Sequence, residues 1–204
     1  YVPDSMPSLV FNLSKKGLDN VEVRKALAYA IDYKNIVDIA MNGYSDVVEP
    51  ALTVNIPHES KYIDKAAIKQ YQWYTDVEKA NQILDAIGAK KGEDGIRVLP
   101  DGTRLGPWEL ECPYGWTDWN ATLEIVMQNA KKIGVELRTK FPEDPVYYND
   151  RDTGNFDIVM TTPGDVISPA QPWLRARDIM YSKNVAPIGE ITFRNFGRYK
   201  NPKA

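Results

Sequence analysis

Apolar positions along the chain recur with two periods, one near two residues and one near three and a half, and their alternation sets the predicted elements. Leu9 to Leu13 is a short apolar run closed by the turn-forming Lys16-Gly17, the pattern of a buried strand. Val23, Leu27, Ala30 and Ile31 then share one helical face, with Asp19 as the expected N-cap and Glu22 three residues on. Asp32 is placed to cap a second helix, carrying Ile36, Val37, Ala40 and Met41 and ending at Gly43. From Ser45 to Tyr74 the chain holds Pro50 and Pro57 and little periodicity, which predicts a long irregular excursion.

Helical spacing returns after Asp76 in Val77, Ala80, Ile83, Leu84 and Ile87, with Gly88 where a left-handed residue is wanted. Asp101-Gly102 inside Ile96 to Leu105 predicts a tight hairpin, and Trp108 to Cys112 a further strand. Asp118 is the expected cap of a helix bearing Leu123, Val126, Met127, Ala130 and Ile133, closed by Gly134. Val135 to Phe141 alternates like a half-exposed strand, and Phe156 to Met160 is an apolar strand entering a Pro/Gly-rich loop at Thr162 to Pro172. Helices alternating with strands predict an α/β (α+β) architecture in one domain over residues 1–204, with no internal repeat.

Charge narrows the function classes. The 204 residues carry a formal net charge of -3 and no Lys/Arg block longer than two, which argues against nucleic acid as a partner. Apolar runs stop far short of the roughly 20 residues that cross a bilayer. The start at Tyr1 shows neither an initiator Met nor a signal-peptide pattern, and together with the polar finish it is read as an excised piece of a longer parent.

Candidate chemistry concentrates in two turn-rich stretches that follow predicted strands, Tyr114-Gly115-Trp116-Thr117-Asp118-Trp119 and Gln171-Pro172-Trp173. Loops beyond strand ends are where α/β layers commonly hold ligands. An indole face can lie on the apolar face of a pyranose while Asp118, Asn120 and Gln171 bond its hydroxyls. Each ring so covered contributes on the order of 1 kcal/mol. The plainer alternative is that these rings pack inward, most readily Trp119 in the first turn of its helix, while Trp73 and Trp108 read as structural.

Enzymatic readings find less support. His58 is the single histidine and lacks a metal-ligand partner in sequence, so no metal is expected. Cys112 reads as a buried, inert thiol. Glu109 and Glu111 share one strand face and, with Asp118, are the carboxylates a glycoside hydrolase fragment would have to use. No glycine-rich phosphate loop occurs, so no nucleotide or other cofactor is expected.

The run Asp19-Asn-Val-Glu-Val-Arg-Lys-Ala-Leu-Ala-Tyr-Ala-Ile-Asp32 resembles the most recognisable segment of the family 5 extracellular solute-binding proteins, which serve peptide, nickel and oligosaccharide ABC importers. Three further segments follow in the family's order: Asp76 to Gly88, Lys131 to Val135, and Gly154 to Ile158. The resemblance implies a periplasmic-binding-protein-like fold (class II, large cluster), of which this chain is the second lobe and from which the first lobe is absent. It implies a periplasmic or extracytoplasmic location, with a cell-surface lipoprotein as a variant, a monomeric parent, and ABC permease subunits as partners. Peptide-binding members commonly carry an Asp-Tyr pair after the strand matching Phe156 to Ile158, where Asp165 is here followed by Val166. The two Trp runs are similar to the oligosaccharide-binding branch. The expected activity is non-catalytic capture of a β-linked gluco- or manno-oligosaccharide, through Tyr114, Trp116, Asp118, Trp119, Asn120, Asp165, Gln171 and Trp173, with a peptide as the alternative ligand.

Overall fold

The computed structural model describes residues 6–48, 60–162 and 173–201. In chain order the elements are β1 (Ser8–Phe11), α1 (Val21–Ala30), α2 (Tyr33–Asn35), α3 (Lys65–Ile68), α4 (Val77–Ala86), β2 (Lys90–Lys91), β3 (Arg97–Val98), β4 (Trp108–Glu111), α5 (Thr117–Lys132), β5 (Leu137–Lys140), α6 (Asp144–Thr153), β6 (Ile158–Thr161) and α7 (Trp173–Met180). Among the described residues the main sheet runs β1-β6-β4-β5, with β1 antiparallel to β6 and β4 parallel to both β6 and β5. The predicted α/β class is what the chain adopts.

Period-two alternation divides the sheet into two unlike faces. Leu110, Cys112, Leu137, Ile158 and Met160 meet Val23, Ala26 and Leu27 of α1, Ala80 and Leu84 of α4, and Leu123, Val126 and Ala130 of α5 in the main core. Val159 points the other way and joins Tyr147 of α6 and Phe156 in a smaller cluster. With helices on both sides, β6 is buried at every position, which is why its run reads as continuously apolar.

Local chemistry moves several boundaries by one or two residues. The cap of α1 is Asn20, whose side chain accepts from the Glu22 N–H, and not Asp19, whose carboxylate is taken by the Gly17 N–H at 2.9 Å. Helix α5 starts two residues earlier than expected, with Trp116 at the N-cap and no side-chain cap. Asp118 therefore sits in the first turn, where its charge suits the helix dipole. Asp32 and Asp76 cap as predicted. The second helix is short and widens into a π turn over Ile36–Ala40. The hairpin at Asp101-Gly102 closes through the Leu99 N–H to Thr103 O bond at 2.8 Å but pairs further only at Val98 and Arg104. Gly134 closes α5 at φ 76°, and a Cβ there would stand 2.9 Å from the Gly95 carbonyl oxygen.

Two described helices escaped the sequence reading, α6 and α7. Helix α6 (Asp144–Thr153) carries few apolar residues and no stripe; it is held by Tyr147, whose hydroxyl donates to Met160 O at 2.6 Å. The expected excursion over 45–74 contains, where described, only short helical turns, among them α3.

Candidate functional site

The parallel strands β4, β5 and β6 all end at one edge of the sheet, and the segment after β4 is where the sequence placed its aromatic run. Pairing between β4 and β5 continues past both strands: the Cys112 N–H bonds Lys140 O at 3.3 Å and the Tyr114 N–H bonds Pro142 O at 2.7 Å. Gly115 then turns the chain at φ 78° with open space where a Cβ would stand, and α5 begins. Tyr114 is left 65% exposed and Trp116 38% exposed. Trp119 is buried in the main core and meets Trp116 edge to face at 4.8 Å between ring centroids. It supports the outer indole from beneath.

Polar neighbours divide in the same way. Asp118 is half-buried and its Oδ1 lies 2.9 Å from the Trp119 N–H. Asn120 turns back into the loop, Nδ2 donating to Cys112 Sγ and Pro113 O, both at 3.0 Å. Glu143 and Asp144, exposed at the start of α6, follow directly on the Pro142 carbonyl that holds Tyr114. The two joined segments that carry the exposed rings are thus aromatic and acidic. Asp165 and Gln171 lie outside the described residues, as does His58, and of Trp173 only its place at the start of α7 is described.

The carboxylates Glu109 and Glu111 do share one strand face, but that face holds an ion cluster and not a cleft. Lys140 Nζ lies 3.5 Å from Glu109, 3.0 Å from Glu111 and 3.1 Å from Asp150. Glu111 is wholly buried, and burial pushes its carboxyl up to about 7, aided by the charges of Asp150 and Glu109 and opposed by Lys140. Burial works against the charge on Lys140, yet its bonds to Glu111 and Asp150 hold its pKa above the ordinary value. Cys112 is fully buried, and burial pushes the thiol up to about 11, the inert state expected of it.

A cavity of about 850 Å³ opens beside β1, walled by Leu9, Phe11, Ile36, Val37, Trp73 and Phe193. None of the aromatic-loop residues and neither Glu109 nor Glu111 lines it. Several of its polar wall groups are engaged within the protein: Arg24 donates to Leu18 O, Tyr33 to Ala28 O, Thr122 to Asp118 O and Asn195 to the carbonyls of Tyr181 and Tyr199, while Asp178 pairs with Arg177 and Arg194. Among the described residues no cluster of three or more His, Cys, Asp or Glu side chains is arranged to hold a metal ion, and no helix is long and apolar enough to cross a membrane.

The family described as bacterial extracellular solute-binding proteins, family 5 Middle, matches residues 3–178. A glutathione-binding protein of Pectobacterium atrosepticum is 32% identical over 127 residues, covering 62% of this chain and 21% of its own length. The nickel-binding periplasmic protein of Escherichia coli is 23% identical over 158 residues, covering 74% of this chain and 27% of its own. The mannohexaose-bound structure of a Thermotoga maritima periplasmic oligopeptide-binding protein superposes with a TM-score of 0.90 at 31% identity, over 99% of this chain and 37% of that one. An oligopeptide-binding protein of Bacillus subtilis bound to a nonapeptide has a TM-score of 0.77 at 22% identity over 98% of this chain and 38% of that one, a likeness of fold alone. This chain therefore spans about a fifth to a quarter of the curated relatives' length and 37–38% of these solved ones.

Proposed function

The chain belongs to the family 5 bacterial extracellular solute-binding proteins, and from that premise we propose that it is one lobe of a two-lobed protein that captures a β-linked oligosaccharide for an ABC importer. Capture is without catalysis, in the periplasm or an equivalent extracytoplasmic space, and the ligand is released to the permease. The observation that carries the ligand is the exposed Tyr114 and Trp116 pair, backed by Trp119 and bordered by Asp118, Glu143 and Asp144. Rings offer stacking area to pyranose faces, carboxylates accept from sugar hydroxyls, and an open surface suits one half of a cleft that closes when a second lobe swings over it. The cavity beside β1 is walled mainly by apolar side chains, and several of its polar groups are already engaged within the protein, which makes it a poorer fit for a sugar. The likeness to the mannohexaose-bound relative supports the same ligand class.

Hydrolysis would need two carboxyls facing one cavity roughly 5 to 9.5 Å apart. Glu111 is enclosed against Lys140, and neither it nor Glu109 lines the cavity, so the ion cluster has a structural role.

A peptide ligand is favoured by one observation, the 32% identity to a protein named for glutathione binding. That ligand is a tripeptide whose two carboxylates outweigh its single ammonium, so its net negative charge meets like charge at Asp118, Glu143 and Asp144. Tryptophan fluorescence of the two-lobed protein decides between them. Mannohexaose or cellohexaose should shift the emission saturably and be recovered intact; no response to any sugar, with a saturable response to glutathione or a longer peptide, refutes the oligosaccharide reading.

A further inference from the structure

The aromatic loop is fastened on two sides, and the two fastenings differ. On one side it rides on β5 through the backbone bonds from Cys112 and Tyr114. On the other it meets the first turn of α5, whose N-cap, Trp116, has no side-chain oxygen to offer that turn. Asn120 spans the gap. Its backbone N–H bonds Trp116 O at 2.7 Å, and its side-chain Nδ2 reaches Cys112 Sγ and Pro113 O at 3.0 Å each. The Pro113 carbonyl can only accept, so the amide must turn its nitrogen toward it. Both Nδ2 hydrogens are then committed to the loop, and the side chain has no donor left for a ligand.

We propose that Asn120 is a positioning residue: it pins the Cys112-Pro113 end of the loop to α5, and so fixes the Trp116 indole against Trp119 in the orientation a ligand meets. Sequence placed Asn120 among the ligand's polar partners; the geometry gives it to the platform's frame. The assignment rests on Trp116 being the ligand platform. Asn120→Asp is the informative change. It keeps the size and shape of the side chain and sets a carboxylate oxygen against the Pro113 carbonyl, so that fastening becomes a repulsion, while the protonated Cys112 thiol can turn its weak S–H toward the new acceptor. Asn120→Ala removes the pin without adding repulsion.

The test is made on the full-length protein without ligand first. Two indoles 4.8 Å apart couple electronically, so circular dichroism should show a Trp116–Trp119 exciton signal, defined by subtracting the Trp116→Phe spectrum. Asn120→Asp should abolish that signal and Asn120→Ala should diminish it, and both should weaken mannohexaose binding at least fivefold. Retention of the signal in both variants overturns the proposal, and retention accompanied by weaker binding makes Asn120 a direct contact instead. Should Asn120→Asp fail to fold, Asn120→Ala decides on the same two readouts. Failure of wild-type protein to bind any sugar refutes the ligand reading alone, because the exciton signal still reports whether Asn120 sets the indole.

Discussion

Replacing Glu111 by Gln should make the fold more stable at alkaline pH and progressively less so as the pH falls. The carboxyl is fully buried at the end of β4, and its pKa lies at about 7 against an ordinary value of 4.5. A group raised in this way binds a proton in the folded state at pH values where the unfolded chain has already released it. Wild-type stability therefore declines as pH rises from about 4.5 to about 7, and the penalty is fully present above that window. The difference between those two pKa values corresponds to roughly 3 kcal/mol, an upper figure because the group is coupled to Lys140, Asp150 and Glu109. Gln fills the same space and does not titrate, while Lys140 keeps Asp150 at 3.1 Å and Glu109 at 3.5 Å. Urea unfolding of wild type and variant at pH 5 and pH 8 separates this effect from any pH-independent cost of the amide. The variant should gain about 1–3 kcal/mol relative to wild type between the two pH values. An unchanged difference, or a variant that loses ground as pH rises, would refute the reasoning and show that Lys140 outweighs burial.

Other expectations follow from the same geometry. Arg97 is buried and donates to Ile133 O, Ala89 O, Asn81 and Asp85, so Arg97→Ala opens a void and strips buried carbonyls of their donor, while the exposed Asp85 returns to water; urea unfolding should register a loss of about 2–4 kcal/mol. Leu123→Ala hollows the main core beneath α5, where Leu123 is fully buried, and should lower the unfolding free energy by about 3–5 kcal/mol in the same assay. Trp116→Ala removes an outward ring whose partner Trp119 stays anchored in the core. Calorimetric titration should show oligosaccharide affinity falling about five- to tenfold, as expected for loss of about 1 kcal/mol of stacking, with the urea midpoint little changed.

What the sequence disclosed was what periodicity and caps encode. The strands around Val10, Leu110, Leu137 and Val159 and the helices after Asp76 and Trp116 have strong apolar patterns, because each packs a whole face against the core. Helix α6 was not legible because Tyr147 is its one large core side chain, and a single buried ring leaves no period to read. The cap of α1 was misplaced by one residue because Asp19 and Asn20 both favour capping, and only the turn at Gly17 shows which of them is already bonded. At the candidate site, the exposed Tyr114 and Trp116 were readable as a loop signal, whereas the inward turn of Trp119 depends on where the helix begins. That Asn120 bonds Cys112 and Pro113 follows from a strand end lying beside a helix start, a tertiary relation with no signature in spacing. The Lys140 cluster was hidden for the same reason, since it joins β4, β5 and α6.

Isothermal titration of the two-lobed protein with mannohexaose, cellohexaose and glutathione decides whether an oligosaccharide is captured on the Trp116 platform. A β-linked hexaose should give saturable one-to-one heat and be recovered uncleaved, and Trp116→Ala should bind it about five- to tenfold more weakly. Saturable heat with glutathione and none with either sugar, or a Trp116→Ala protein that binds the hexaose as tightly as wild type, would contradict capture on that platform.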